Sequence, residues 1–246
     1  MIILTGRLEA LSQQLDLGET MADIGTDHGF LPISQFEHGT CPKVIMTDVS
    51  QKALSRAVEH GRELQGLSGD SFRCGDGLTP IKPGEVQAVV IAGLGGILMT
   101  EILAADISKT KTFSKLILQP RNHPEVLRHW LYDNGFVISH ETLVRERRNL
   151  CEIIVATPNK ATRESRIELD PTWPMEDIRW EVPPFYSYSK DPLMREYLHK
   201  KLEREQRVRR EVQKGRSIDP GFISKLEIRI AYLKELIKTR GSNDSI

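Results

Sequence analysis

Residues 21–33 read MADIGTDHGFLPI, a short apolar run entering a turn that holds Asp23, Gly25, Thr26, Asp27, His28 and Gly29. A strand leading through glycines into a helix is how nucleotide-binding α/β sheets begin. In the dinucleotide version, G-x-G-x-x-G, the second glycine lets backbone N–H groups close on a pyrophosphate. Here that place is taken by Asp27. A carboxylate about 5 Å from one phosphate charge is repelled by about 3 kcal/mol at an effective dielectric near 20. The turn therefore disfavours a diphosphate and suits a ligand that carries positive charge.

Working outward, residues 1–160 alternate apolar runs with amphipathic stretches, the pattern of a parallel sheet with helices on both faces. Leu4, Leu8, Leu11 and Leu15 repeat at helical spacing and predict an opening helix. TMADI (20–24), KVIMTD (43–48), DSFRCGDG (70–77), VQAVVIAG (86–93) and KLILQP (115–120) predict five parallel strands. VQAVVIAG is apolar almost throughout, as a strand buried on both faces must be. Pro32 suits the first turn of the second helix and Gly39 its end, while Ser50 caps a third helix carrying Ala53, Leu54, Ala57, Val58 and Leu64 on one side. PEVLRHWLYDNG (124–135) predicts a helix ending on glycine. FVISHETLV and LCEIIVATP flank the basic stretch RERRN (145–149) as an antiparallel pair at the sheet edge. Five parallel strands closed by a hairpin form the Rossmann-like plan of class I methyltransferases, whose first half nucleotide enzymes share.

Three acids fall at the carboxyl ends of successive strands: Asp23, Asp48 and Asp76. Asp48 lies where a carboxylate accepts both ribose hydroxyls, a feature that serves NAD and S-adenosylmethionine alike. Asp76 stands where, in methyltransferases, a carboxylate accepts a hydrogen bond from the adenine amino group. Each also has a plain structural reading, since Asp48-Val49-Ser50 starts a helix and Asp76-Gly77 makes a turn. S-adenosylmethionine has no phosphate and carries a sulfonium and an ammonium, so it matches an acidic crevice. The fourth strand ends in IAGLGG (91–96), which lacks the Asn/Asp-Pro-Pro-aromatic set used on exocyclic amines. Ala92, Gly93, Leu94, Gly95 and Gly96 expose backbone against which a flat base can lie, or else serve close helix packing.

Composition restricts the rest. The 246 residues suit one large domain, or one of about 150 residues with an appendage. Basic and acidic residues balance at 34 each, with 16 basic and 19 acidic in residues 1–160 against 18 and 15 in 161–246, so the basic excess is C-terminal. Cys41, Cys74 and Cys151 form no C-x-x-C, which argues against disulfides and a thiolate metal site and for buried reduced thiols; no metal is expected. No run approaches the roughly 18 apolar residues of a membrane span, and the N-terminus lacks a secretory plan, so a cytoplasmic protein without membrane contact is expected.

From 161 the character changes. Residues 161–190 mix Pro171, Pro174, Pro183 and Pro184 with Trp173, Trp180, Phe185, Tyr186 and Tyr188, so this linker resists regular structure yet packs against something. Asp191-Pro192 and Asp219-Pro220 then each set a capping carboxylate before a proline. Gly215 ends the first helix. In the second, Ile223, Leu226, Ile230, Leu233 and Ile237 form a coiled-coil seam, answered less regularly by Leu198, Leu202 and Val212. An antiparallel hairpin with arms of about 34 Å follows; its seam suits a monomer without excluding a dimer. Its first arm, residues 190–216, carries ten Lys/Arg against five Asp/Glu. Lys200, Lys201, Arg204, Arg207, Arg209, Arg210 and Lys214 are candidates for RNA phosphates, against the reading of a solvated face with pairs such as Arg207–Glu211. Arg145, Arg147 and Arg148 read as ordinary hairpin-loop charges.

Together ADIGTDHGFLP, the DGL after the third strand, AGLGG and LILQP, followed by a helical hairpin, resemble the bacterial tRNA (adenine-22, N1) methyltransferases over nearly the whole chain. The resemblance implies a methyltransferase domain (1–160) binding S-adenosyl-L-methionine and a linker with a helical hairpin (161–246) that helps hold tRNA. The activity implied is methylation of adenine N1 in the D-loop. The implied cofactor set is Arg7, Asp23, Gly25, Asp27, His28, Gly29, Asp48, Val49, Asp76, Gly77 and the Ala92, Gly93, Leu94, Gly95 turn. Gly29 and Arg121 depart from the small non-glycine residue and the asparagine common in that family.

Methyl transfer is an in-line displacement governed by positioning, and adenine N1 already holds a lone pair. Its product is cationic, so Asp27 is the candidate catalytic acid, unless it only holds the loop or the methionine ammonium. His28 either polarises the base or orients the loop. N1 lies on the Watson–Crick edge, so the target is unpaired or flipped out. Competing readings are a class I methyltransferase with another acceptor, a non-catalytic S-adenosylmethionine-binding RNA scaffold, and a nicotinamide oxidoreductase.

Overall fold

The structure, a computed structural model, describes residues 2–158, 169–170, 172–187, 189–214 and 219–243. The chain divides into two compact units, Met1–Met175 and Glu176–Ile246.

In the first unit a seven-stranded sheet runs in the order β3-β2-β1-β4-β5-β7-β6. The strands are β1 (Met21–Ile24), β2 (Val44–Asp48), β3 (Phe72–Cys74), β4 (Ala88–Leu94), β5 (Lys115–Pro120), β6 (Phe136–Glu146) and β7 (Asn149–Pro158). The first five pair in parallel, and β7 enters antiparallel between β5 and β6. The first four residues of β4 are buried, as VQAVVIAG predicts for a strand covered on both faces, and all four residues of β1 are buried as well. Chain order reverses direction between β1 and β4, and a crevice at the carboxyl ends of such strands is where open α/β sheets bind ligands.

The helices are α1 (Arg7–Ser12), α2 (Phe30–Glu37), α3 (Gln51–Gly61), α4 (Gly96–Ala104), α5 (Ile107–Thr110) and α6 (Pro124–Asp133). The opening helix is shorter than its leucine period predicts, since Leu4 precedes it and Leu15 follows it. Ser50 caps α3 through Ala53 N–H at 3.3 Å. Val58, expected on the inner face of α3, is exposed, and Gly61 takes the next buried place instead. Arg128 on α6 is fully buried between Glu141 of β6 and Glu152 of β7; its Nε donates to Glu141 at 2.7 Å. That triad ties α6 to both strands of the final hairpin. Cys41 is buried, where desolvation pushes its thiol up to about 11, Cys151 is half-buried and Cys74 is exposed, contrary to the uniform burial expected.

The second unit holds α7 (Ile178–Glu181), α8 (Met194–Lys214) and α9 (Pro220–Asn243). Asp219 caps α9 as predicted, accepting from Gly221 N–H at 2.9 Å, whereas Asp191 accepts from Leu193 N–H at 2.8 Å in a turn ahead of α8, so Pro192 does not open that helix. Gly215, Pro171 and Tyr188 lie outside the described residues. In α9 the buried seam is Leu226, Ile230, Leu233 and Leu236, the last replacing the predicted Ile237, which is half-buried. The facing seam of α8 is interrupted by buried Glu205, held by Arg229 at 2.9 Å, which explains its irregular period. Trp180 and Tyr186 are buried, and Tyr232 donates to the Val182 carbonyl at 2.8 Å. The proline-aromatic stretch from 176 is thus packing material for this unit.

Candidate active site

The turn after β1 is built by backbone. Gly25 and Thr26 N–H both donate to the Thr47 carbonyl, at 2.8 and 3.0 Å, which curls the chain over the end of β2. Asp27 then takes φ 47°, a left-handed conformation costly for a residue with a Cβ, and Gly29 takes φ 70°. A Cβ at Gly29 would lie 2.9 Å from Ala57 Cβ and 3.1 Å from Met46 Sδ. In this chain the glycine is what lets α2 and α3 close together. The departure at position 29 therefore has a packing cause.

Asp23 is buried beneath the turn and accepts from Thr26 Oγ1 at 2.7 Å. Burial pushes its carboxyl up to about 6; the Thr26 hydroxyl and the Arg7 guanidinium oppose that shift, and Asp48 adds to it. Asp48 Oδ1 accepts from Ser50 N–H at 2.7 Å and Oδ2 from Asp27 N–H at 3.4 Å. A carboxylate has about four acceptor positions, so room remains for two hydroxyl donors. Val49 beside it is 67% exposed. Asp76 is exposed at the end of β3, its turn fixed by Thr79 N–H on the Asp76 carbonyl at 3.0 Å. Gly77 takes φ 50° against Ile102.

Asp27 reaches Arg56 of α3 at 2.6 Å and His28 Nε2 at 3.6 Å, and its side chain is 52% exposed. Exposed pairs of this kind contribute about 0–1 kcal/mol, so the Asp27 carboxylate stays available to a cation in the crevice. Arg56 had no signal in the sequence; only the close approach of α2 and α3 brings it to the turn. His28, Phe30 and His60 cluster with ring centroids 4.9–5.7 Å apart, and the His28 carbonyl accepts from His60 Nδ1 at 2.8 Å. The His28 Nδ1 is buried without a hydrogen-bond partner among the described residues.

At the end of β4, Ala92, Gly93 and Leu94 are half-buried. Gly93 has φ 78°, and its N–H donates to Gln119 Oε1 at 3.1 Å. A Cβ at Gly93 would lie 4.0 Å from an Arg7 terminal nitrogen, and one at Gly25 3.9 Å from Leu94 Cδ1. The β1 and β4 turns and Arg7 thus line one cleft. Gly95 and Gly96 differ. A Cβ at Gly96 would lie 2.2 Å from the His123 carbonyl oxygen, and one at Gly95 2.9 Å from Asn122 Oδ1. The segment after β5 covers both, so the backbone open to a flat base narrows to 92–94.

A family model described as "Methyltransferase domain" matches residues 4–154. The chain belongs to the methyltransferase-domain family. A curated relative, the tRNA (adenine(22)-N(1))-methyltransferase of Bacillus subtilis (strain 168), is 35% identical over 154 residues, 62% of this chain and 64% of that protein. The chain thus spans just under two thirds of that relative's length. Among solved structures, the B. subtilis m1A22 tRNA methyltransferase TrmK superposes with a TM-score of 0.78 at 26% identity, covering 96% of this chain and 100% of that one. A Streptococcus pneumoniae protein solved in complex with S-adenosyl-L-methionine gives 0.75 at 26% identity, covering 94% and 98%. The order of strands in this methyltransferase fold puts every acid expected at a strand end on one edge. Among the described residues no cluster of three or more His, Cys, Asp or Glu could hold a metal, and no helix is long and apolar enough to cross a membrane.

The candidate RNA residues sort themselves on α8. Lys200, Arg204, Arg207, Arg210 and Lys214 are exposed and lie on one side at helical spacing. Lys200 pairs with Glu196 at 2.9 Å and Lys214 with Glu211 at 2.8 Å, so the expected Arg207–Glu211 pair is replaced by one from Lys214. Lys201 turns inward to Glu181 at 2.6 Å and lies over Tyr197, and Arg209 is half-buried on the opposite side. The exposed stripe does not include these two.

Proposed function

We propose that this protein methylates N1 of an adenine in the D-loop of tRNA, at position 22, using S-adenosyl-L-methionine. The observation that carries the reading is the ring of Asp23, Asp27, Asp48 and Asp76 around a cleft whose floor is glycine backbone at 25 and 93. Four acids face two bases, Arg7 and Arg56, so the cleft attracts cations. The residues fit the cofactor group by group. Asp48 accepts the ribose hydroxyls, exposed Val49 offers an apolar face to the adenine ring, and Asp76 accepts from the adenine amino group. Arg7 suits the methionine carboxylate, and Asp27 the ammonium or sulfonium.

When bound, S-adenosylmethionine supplies a methyl group on positive sulfur to the N1 lone pair, leaving a neutral thioether and a cationic base. No side chain has to remove a proton from N1. Asp27, at the rim, stabilises the positive charge that appears on the base, and His28 holds the Asp27 turn through its stack with Phe30 and His60. The half-buried backbone at 92–94 is the surface along which the flipped base slides in. On α8, Lys200, Arg204, Arg207, Arg210 and Lys214 contact tRNA phosphates without reading sequence. The protein works as a monomer in the cytoplasm, where tRNA is found.

Incubation with methyl-labelled S-adenosylmethionine and bulk tRNA tests this. Label is expected in 1-methyladenosine after nuclease digestion, and none in a transcript whose residue 22 is guanine. Label in another nucleoside would assign a different RNA target. Cofactor binding without transfer would leave a scaffold.

A further inference from the structure

The tip of the β6–β7 hairpin is a second basic element, and the register places it. β7 pairs Leu118 with Ile154 and Leu116 with Ala156, so Glu152 comes level with Pro120, and Pro120 is level with Leu94. Four further residues, at about 3.4 Å each, carry the hairpin about 14 Å past the carboxyl edge of the parallel strands. The overhang is on the edge that holds the acidic cleft. Residues 145–149 are all exposed.

The tip is also fastened to the rim of the cleft. Arg7 Nε lies 3.3 Å from both carboxylate oxygens of Glu146, while a terminal nitrogen of Arg7 reaches the Gly93 turn. Arg145, Arg147 and Arg148 outnumber Glu146, the one acid of the tip, which is held by Arg7. Arg147 takes φ 55° in the two-residue turn closed by the Glu146–Asn149 pair, a position where glycine would be relaxed. It makes no ion pair among the described residues. A strained arginine held at an exposed tip points to a use for its charge.

We propose that this hairpin tip is an RNA-phosphate contact that grips the backbone beside the target base, while the acids next to it bind the cationic cofactor. The proposal rests on the tRNA reading above. It separates the two charges by location: the negative cleft repels phosphate, so the backbone is held off it, and only an uncharged base edge enters.

Arg147→Gly relieves the left-handed strain, so it keeps the fold while removing a charge; Arg147→Gly with Arg148→Gln removes two. Filter binding of tRNA across a potassium chloride series, melting, and S-adenosylmethionine titration by calorimetry are measured on both. In the double variant, tRNA affinity near physiological salt is expected to fall about tenfold, with the slope of log affinity against log salt shallower by about 1.5. Melting temperature should stay at or above wild type, and cofactor affinity should stay within about twofold. If wild type binds tRNA and the double variant matches it in affinity and slope, the tip is no phosphate contact. Unchanged tRNA affinity with lost adhesion to phosphatidylglycerol vesicles would overturn the proposal in favour of a lipid surface. A wild type that binds no tRNA sinks the parent reading along with this one.

Discussion

Asp23 is the residue whose removal most sharply separates stability from function. Its carboxyl is pushed up from 3.8 to about 6, with burial as the largest cause. An acid with a raised folded pKa weakens the fold when ionised. Below pH 3.8 it is protonated in both states and nothing is lost; stability declines as pH rises from there through 6, and the full penalty holds above. The shift corresponds to about 3 kcal/mol at pH 8 and about 1 kcal/mol at pH 4.5. Asp23→Asn removes the charge and keeps an oxygen for the Thr26 hydroxyl. The buried amide that replaces the second oxygen costs about 1 kcal/mol. The balance is a gain of about 2 kcal/mol near pH 8 and about zero near pH 4.5. For a unit of this size that is a rise in melting temperature of about 4–8 °C at the higher pH.

Urea unfolding and melting of both proteins at the two pH values measure this directly, and calorimetry with S-adenosylmethionine supplies the other half. The variant should bind the cofactor at least about tenfold more weakly, since it lacks a charge from the cation-attracting ring. In wild type the same linkage makes cofactor affinity fall as pH drops through 6. A variant destabilised equally at both pH values would refute the reasoning, because Asp23 would then be a plain structural acid. Unchanged cofactor affinity would separate Asp23 from the ligand.

Asp27→Asn should leave S-adenosylmethionine affinity within about threefold while methylation falls about a hundredfold or more, the pattern of a group acting on developing charge; lost cofactor binding would reassign it to recognition. Gly96→Ala forces the His123 carbonyl away and should destabilise the protein by about 1–3 kcal/mol in urea unfolding, with a raised KM for tRNA as the 92–94 backbone shifts. Arg229→Ala leaves Glu205 buried without its cation and should lower the stability of the helical unit by about 2–4 kcal/mol, followed by circular dichroism. Burial raises the Glu181 carboxyl, but Lys201 and Arg229 outweigh that and hold it at about 2, so wild-type helical stability present above pH 4.5 should be lost as pH falls through about 2.

The sheet was legible because burial on two faces leaves a mark in one dimension. MADI, VIMTD and KLILQP are apolar runs with an acid or a glutamine-proline at the exit, and each became a strand with nearly those bounds. The hairpin turn was not legible in the same way. RERRN reads as a five-residue loop, yet pairing continues through Arg145–Leu150 and Glu146–Asn149, leaving only Arg147 and Arg148 to turn. Nothing in the arginine side chain favours positive φ, so no turn signal was available. The α8 stripe shows a third kind of limit: a helical wheel sorts directions but does not show that Glu181, from outside the hairpin, captures Lys201.

The AGLGG stretch shows why one motif supported two readings. Glycine is required wherever a Cβ does not fit, and a sequence does not say what occupies the space. Here the answer changes within four residues. Gly93 is glycine because its φ is 78°, and a Cβ there would meet Arg7 across the cleft at 4.0 Å. Gly96 has no such φ and is glycine because the Asn122–His123 backbone crosses it, with Gly96 N–H donating to the Asn122 carbonyl at 2.9 Å. The crossing explains how the two ends of the stretch act together. It fixes the start of α4 against the start of α6, and that fixed point sets where the Ala92–Leu94 backbone lies relative to Asp27 across the cleft. Methyl transfer depends on placing two reacting atoms in line, so under the proposed function a packing glycine three residues from the cleft and the acid within it serve one geometric requirement.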